Sequence, residues 1–192
     1  MSLHGTLSKR RDAVIRSYKT AADFLNQRQE LEGGCILLAL DHDGDAILEF
    51  LYAVQSDQRF ATVIISSLND VRLAVEAMKA GATDYLLRPV TRSELWDAIG
   101  ISVDRVAHFM AADAMTLTAR QRIARLSARE RDVLCGLVEG KSNKMIAIEL
   151  QISPRTIEIY RAHLMDKLGV RTLSEVLKFA FAAGIENIRP TP

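Results

Sequence analysis

Short apolar runs alternate with amphipathic stretches in the first half of the chain. The apolar runs, which predict β-strands, are at residues 13–18 (AVIRSY), 35–40 (CILLAL), 62–66 (TVIIS) and 84–87 (DYLL). Helical spacing and start signals predict helices between them, at 20–29, 47–55, 70–80 and from Thr91 onward. Apolar strands separated by helices favour a parallel sheet covered on both faces, in an α/β domain that ends near residue 100.

The helix that starts near Thr91 continues as an amphipathic connector beyond Gly100. Its apolar residues keep steps of four, seven and three from Leu95 to Phe109, and this stripe fits packing on the sheet or on a second copy equally well. The stretch after Met110 has little side-chain bulk and is predicted to be a partly helical linker. The predicted domain limits are therefore 1–100, a connector over 101–126, and 127–192.

Four helix start signals follow in the last third of the chain. Capping boxes begin two helices, at Ser127 and at Thr172, and Ser142 and Ser153 are N-cap residues for two more. Pro154 occupies a first-turn position where its missing N–H costs nothing. The predicted helices are 128–138, 143–150, 154–168 and 173–183. The short turn between the second and third of them is typical of a helix-turn-helix motif.

One face of the third helix has an unusual composition for a solvated surface. Ile157 and Leu164 recur at core-facing positions, whereas Glu158, Ile159 and Ala162 lie on the opposite face. Exposed isoleucine and alanine suit contact with thymine methyl groups in a major groove, and a glutamate can accept from a cytosine amino group. We therefore predict that these three residues face DNA bases.

Cationic and hydroxyl side chains surround this face. The predicted phosphate contacts are Lys144, Arg155, Thr156, Arg161 and Lys167. The whole chain has a net charge of only +1, but residues 141–171 contain six Lys or Arg against three acidic residues, so the basic footprint is local. The residue pattern leaves one alternative open, a four-helix protein-interaction module whose Ile159 and Ala162 contact another protein.

The string from Ser127 to Gly184 resembles the LuxR/FixJ-type helix-turn-helix domain over its whole length. The similarity includes ERDVL, NKMIA and SPRTIEIYRAHLMDKLGV. It implies an all-α four-helix domain whose third helix enters the major groove of double-stranded DNA and whose fourth helix contributes to a homodimer. It also implies base-facing roles for Glu158, Ile159 and Ala162, and it adds Ser153 to the phosphate contacts.

The region from Phe24 to Pro89 resembles the receiver domain of FixJ-type response regulators, including AVEAMKAGATDYLLRP. The resemblance implies a flavodoxin-like α/β fold that is switched by a phosphoryl group on an aspartate. When the family pattern is aligned with this chain without gaps, Ala39 occupies the position of the phosphoacceptor aspartate and Ser66 that of the conserved hydroxyl. Arg88 occupies the position of the lysine, and Tyr85 that of the aromatic switch residue. Alanine cannot accept a phosphoryl group and the acidic pair that holds Mg²⁺ is missing, so we expect a degenerate receiver without a cofactor.

Two chemical alternatives remain open around this site. Asp41, Asp43 and Asp45 follow Ala39 closely, so one of them could be an atypical phosphoacceptor instead of part of a solvated acidic loop. Ser66 with Arg88 could retain an anion-binding pocket, or could make only structural contacts.

The receiver-like part is also too short for its family's first strand. In a sheet of order 2-1-3-4-5 that strand lies between the second and the third, so its loss leaves a gap. We expect strand 13–18 to pair directly with 35–40 in a four-stranded sheet, with residues 3–12 as a helix remnant. The alternative is completion of the sheet by a partner chain, because an unpaired edge is a liability.

Composition excludes several functional classes. With 48% hydrophobic and 26% charged residues, the chain is typical of a globular protein, and its longest apolar runs are far shorter than a membrane span. No secretory signal is present, so we expect a cytoplasmic protein whose Cys35 and Cys135 are buried free thiols. Scattered histidines and the lack of a Gly-rich phosphate loop indicate neither a metal site nor an enzyme.

These observations lead to one main hypothesis and two alternatives. The main hypothesis is a sequence-specific DNA-binding transcriptional regulator that is independent of phosphorylation and acts as a dimer through region 70–107 and helix 173–183. The first alternative is an interaction protein that forms heterodimers with a full-length response regulator. The second is a response regulator phosphorylated at Asp41, Asp43 or Asp45.

Overall fold

The computed structural model describes residues 13–40 and 43–185. Within them, the chain forms an α/β unit followed by an all-helical unit, which confirms the predicted fold class. The first compact unit ends at Met110 and the second begins at Ala111. The expected helix remnant over 3–12 and the residue Asp41 lie outside the described residues. The finer domain limits stay a prediction.

Three parallel strands form the sheet of the first unit, in the order β1-β2-β3. They are β1 (Gly34–Ala39), β2 (Phe60–Ser66) and β3 (Asp84–Leu87). The helices of this unit are α1 (Ala21–Gln27), α2 (Gly44–Val54), α3 (Val71–Lys79) and the first part of α4 (Arg92–Ala124). Strand β2 is central and almost completely buried, which agrees with its continuous apolar run.

The predicted strand over 13–18 is wrong. These residues have no regular secondary structure, the Val14 side chain is 89% exposed, and the described part of the sheet has three strands instead of four. The segment is attached by its last residue instead, because the Tyr18 ring packs edge-on against Phe24 with 5.5 Å between ring centroids. Thr20 then caps α1 through a capping box with Asp23, so a helix begins directly after this segment.

Helix α4 is the longest element that the structure describes. Its 33 residues run without a break through Gly100 and through the stretch predicted as a partly helical linker. Leu95 and Ala98 are buried near its start, whereas Ile123 packs against the core of the second unit near its end. One helix therefore begins in the first unit and ends in the second.

Four further helices form the second unit around one apolar core. They are α5 (Ala128–Val138), α6 (Asn143–Leu150), α7 (Pro154–Leu168) and α8 (Leu173–Ala182). All four predicted N-caps are confirmed, including the capping boxes at Ser127 and Thr172. Helices α5 and α6 approach closely at Gly136, where an added Cβ would lie 2.6 Å from Cγ1 of Ile146. Cys35 and Cys135 are free but half-buried.

Candidate DNA-binding surface

The turn between α6 and α7 is built by local backbone chemistry. Helix α6 ends at Gln151, whose φ of 57° places it in the left-handed region and turns the chain sharply. Two residues later, the Ser153 hydroxyl accepts a hydrogen bond from the Thr156 amide at 3.1 Å and begins α7. Ile157, Leu164 and Leu168 then bury one side of α7 completely. The opposite side of α7 is consequently fixed toward solvent.

The three predicted base-facing residues lie on this exposed side. Glu158 and Ala162 are exposed, and the Ile159 side chain is 51% exposed although it is large and apolar. An isoleucine that stays in water adds no burial free energy to the folded helix. Contact with another molecule would remove its apolar surface from water and would be favourable. The arrangement provides a rigid helix face with two apolar groups and one carboxylate. Contact of these groups with bases stays a prediction.

The predicted phosphate-contacting residues form three groups that differ in their contacts. Lys144 and Arg155 are exposed, and no salt bridge to either is found within residues 13–40 and 43–185. Arg161 instead donates to the side-chain oxygen of Asn143 at 2.6 Å, and Lys167 lies 2.7 Å from a carboxylate oxygen of Glu130. These two partners are distant in sequence, and no local pattern could have indicated them. The hydroxyl groups of Ser153 and Thr156 form a hydrogen bond with 2.8 Å between their oxygens.

Glu130 is a buried carboxylate that joins two helices. Its side chain accepts from the Ser127 amide and from Lys167, each at 2.7 Å, so it completes the cap of α5 and also holds the end of α7. Burial raises its pKa, but the hydrogen bonds from Lys167 and Ser127 outweigh that cost, so the pKa lies below its ordinary value of 4.5. Glu130 is therefore ionised at neutral pH.

The carboxyl ends of the three strands place the receiver-like positions at one edge of the sheet. Ala39 ends β1, Ser66 ends β2, and Arg88 follows β3 directly. The Ser66 hydroxyl is buried and accepts from the Leu68 amide at 3.1 Å, while the Tyr85 hydroxyl donates to the Leu68 carbonyl at the same distance. Both side chains thus hold the loop between β2 and α3. An anion pocket between Ser66 and Arg88 stays an untested alternative to purely structural contacts.

The described residues at this edge do not fit a magnesium ion. Asp43 is the N-cap of α2 and accepts from the Ala46 amide at 2.9 Å, and Asp45 is exposed in the first turn. No group of three or more His, Cys, Asp or Glu side chains within the described part of the chain could hold a metal. Hard cations require several oxygen ligands, which Ala39 and Ser66 do not provide.

An apolar groove adjoins the loop between β2 and α3 in the same unit. Side chains of the loop after β2, of α3 and of β3 line it, among them Leu68, Val71, Val75, Met78, Tyr85 and Leu87. Val71, Val75, Met78 and Leu87 also rank among the exposed large apolar residues of the chain. Four exposed apolar side chains therefore share this groove. Of the residues just named, all but Leu68 lie within the predicted dimer region 70–107.

Known proteins resemble both units. Residues 124–180 match a family model described as bacterial regulatory proteins, luxR family. The transcriptional regulatory protein FixJ of Bradyrhizobium diazoefficiens is 38% identical over 174 residues, which cover 90% of this chain and 85% of that protein. FixJ of Rhizobium meliloti is 34% identical over 177 residues, or 89% of this chain and 84% of that protein. The solved structure of response regulator StyR matches with a TM-score of 0.69 at 30% identity, covering 85% of this chain and 83% of that one.

A parallel α/β unit followed by this helix-turn-helix unit defines a DNA-binding transcriptional regulator of the response-regulator class. The chain belongs to the FixJ-type family of response regulators, which carry a LuxR-type helix-turn-helix domain at the carboxyl end. It is accordingly a transcriptional regulator and not an enzyme. Among the described helices, none is both long enough and apolar enough to span a bilayer.

Proposed function

We propose that this regulator recognises a specific DNA sequence as a dimer and does so without phosphorylation. The observation that carries the proposal is the exposed face of α7, where Glu158, Ile159 and Ala162 stand together on a helix that is otherwise anchored in the core. Lys144 and Arg155, which are exposed beside it, supply positive charge for phosphates. Base contacts then provide specificity, and phosphate contacts provide register.

Independence from phosphorylation is supported by the receiver-like edge of the sheet. Ala39 has no oxygen that could attack a phosphoryl donor, and Asp43 is already engaged as a helix cap. The Ser66 hydroxyl is completely buried and accepts a hydrogen bond from the Leu68 amide, so it already has a structural contact in the loop after β2. We therefore propose that this unit is a degenerate receiver that serves in association instead of in phosphoryl sensing.

The apolar groove supports dimerisation through region 70–107. Its exposed valines and methionine would be removed from water by a second copy, which supplies the same surface in a two-fold arrangement. In the second unit, Leu173 and Phe181 of α8 are also exposed and would extend the contact. A two-fold dimer presents two copies of α7, which suits a pair of DNA half-sites.

Selection of bound DNA from a random library tests this function. We expect the purified chain to enrich one paired motif and to form a specific complex alone, with an affinity that falls steeply as salt rises. Enrichment without any motif, or an affinity that does not change with salt, would contradict the proposal. A specific complex that forms only after a full-length FixJ-type regulator is added would instead support the heterodimer alternative.

A further inference from the structure

The end of the DNA-facing helix is held by a residue far away in sequence. Arg122, in the last turn of α4, donates from Nη1 to the carbonyl oxygen of Leu168 at 2.5 Å. Its guanidinium carbon also lies 5.2 Å from the centre of the Phe179 ring in α8. The last four carbonyls of a helix have no partner within the helix, so an arginine at this point satisfies a group that α7 itself cannot.

The geometry around Arg122 shows a close fit. Helix α7 ends at Gly169, whose φ of 66° lies in the left-handed region, and a Cβ at this position would come within 2.9 Å of the Arg122 Nη1 atom. The glycine therefore allows the helix end and the guanidinium to approach each other. Lys167 provides a second tie to the same segment, through its ion pair with the buried Glu130. Consecutive residues of α7 are thus held from residues 122 and 130.

We propose that Arg122 is a positioning residue for DNA recognition, which fixes the carboxyl end of α7 and thereby the angle at which its exposed face meets DNA. This inference rests on the proposed function of α7. The amino end of α7 is held by its own cap at Ser153, whereas the carboxyl end is tied to other helices as well, through Arg122 and Lys167. Base contacts require an accurate helix position, but phosphate contacts with flexible side chains tolerate a shift.

Arg122→Ala tests the proposal, with Arg120→Ala as the matched control. Arg120 is exposed on the same helix, so its removal costs the same charge without affecting α7. We expect R122A to lower specific DNA affinity at least tenfold relative to R120A, with equal non-specific affinity and an unchanged salt dependence. Arg122→Lys keeps the charge but not the planar fork, and we expect it to recover only part of the affinity.

Three results would overturn the proposal. Equal specific DNA affinities of R122A and R120A would show that Arg122 does not position α7. A slope of log affinity against log salt that becomes shallower by ~0.9 in R122A alone would make Arg122 a phosphate contact. Equal losses of specific and non-specific affinity in R122A would also contradict positioning.

Hydrogen exchange on the free protein separates this inference from the proposed function. R122A should speed exchange of the Gly169 and Val170 amides, which bond to Asp166 and Met165, and R120A should not. Unchanged exchange would refute the tie even if the wild type binds DNA. If R122A does not fold, Phe179→Leu is the second variant, because it removes the ring under the guanidinium but keeps an apolar side chain. We expect F179L to show a smaller loss of specific DNA affinity. Full specificity in F179L would then overturn the proposal.

Discussion

The side chains that we propose to read DNA bases all lie on one exposed face of α7. Ile159 and Ile148 are both large, apolar and exposed in the same unit, but only Ile159 lies on the face that the turn and the buried core of α7 direct outward. Periodicity could identify this face because it depends only on residues within one helix. The partners of Arg122, Arg161 and Lys167 could not be predicted, because each comes from another helix.

Ile159→Ser should reduce specific DNA affinity, whereas Ile148→Ser should not. The loss should be about 1–3 kcal/mol, the cost of one unfavourable base pair in a DNA site, because an apolar contact with a base is removed. Fluorescence anisotropy on the selected motif and on unrelated DNA measures both affinities. An equal effect of the two substitutions would place the recognition surface elsewhere on the unit.

Glu130→Gln should lower the free energy of unfolding of the second unit at neutral pH and make it depend less on pH in the acid range. Glutamine keeps the cap hydrogen bond but loses the ion pair with Lys167, so we expect a loss of about 1 kcal/mol. Because the folded pKa of Glu130 lies below 4.5, its contribution is complete above that pH and disappears as the pH falls through the folded value. Urea unfolding at several pH values gives the difference between wild type and E130Q, and a constant difference down to pH ~3 would contradict this assignment.

Whole elements differ in how far the sequence could predict them. The caps of α5 to α8 were predictable because a side chain and an amide three residues away decide each one. The strand over 13–18 was wrong because a strand exists only where another strand pairs with it, and composition cannot show that partner. Within the described residues, β1 consequently remains an edge strand without a charged side chain.

Two glycines in helices should respond oppositely to alanine. Gly136→Ala should destabilise the protein by about 1–3 kcal/mol, because the added methyl would collide with the buried Ile146 where α5 meets α6. Gly100→Ala should stabilise it by about 1 kcal/mol, because the position in α4 is exposed and nothing lies within 4 Å of the added carbon. Thermal unfolding of both variants checks the signs, and stabilisation by G136A would contradict the close packing.

In the molecule as a whole, an α/β receiver-like unit is followed by a LuxR-type helix-turn-helix unit, and we propose that only the second keeps its family's usual role. The fold of each unit was predictable from its pattern, and the family resemblance was confirmed. The proposed role of the first unit is association through its apolar groove.

Val75→Glu should weaken the dimer, because Val75 is 48% exposed in the groove and a charge there would be buried against a second copy. Tyr52→Glu, which adds the same charge on an exposed position of α2 outside the groove, is the control. Sedimentation equilibrium should show a monomer for V75E and a dimer for Y52E. In DNA binding, V75E should lose more affinity for paired half-sites than for single half-sites, each compared with wild type. A dimer that persists in V75E would exclude the groove as the interface.

The most direct measurement of the central claim is specific DNA binding with and without a phosphoryl donor. Purified protein is incubated with acetyl phosphate and Mg²⁺, its intact mass is recorded, and its affinity for the selected motif is compared with that of untreated protein. We predict an unchanged mass and an unchanged affinity, because Ala39 cannot accept a phosphoryl group. A stoichiometric phosphate adduct that increases affinity and disappears in Asp41→Asn, Asp43→Asn or Asp45→Asn would contradict the account.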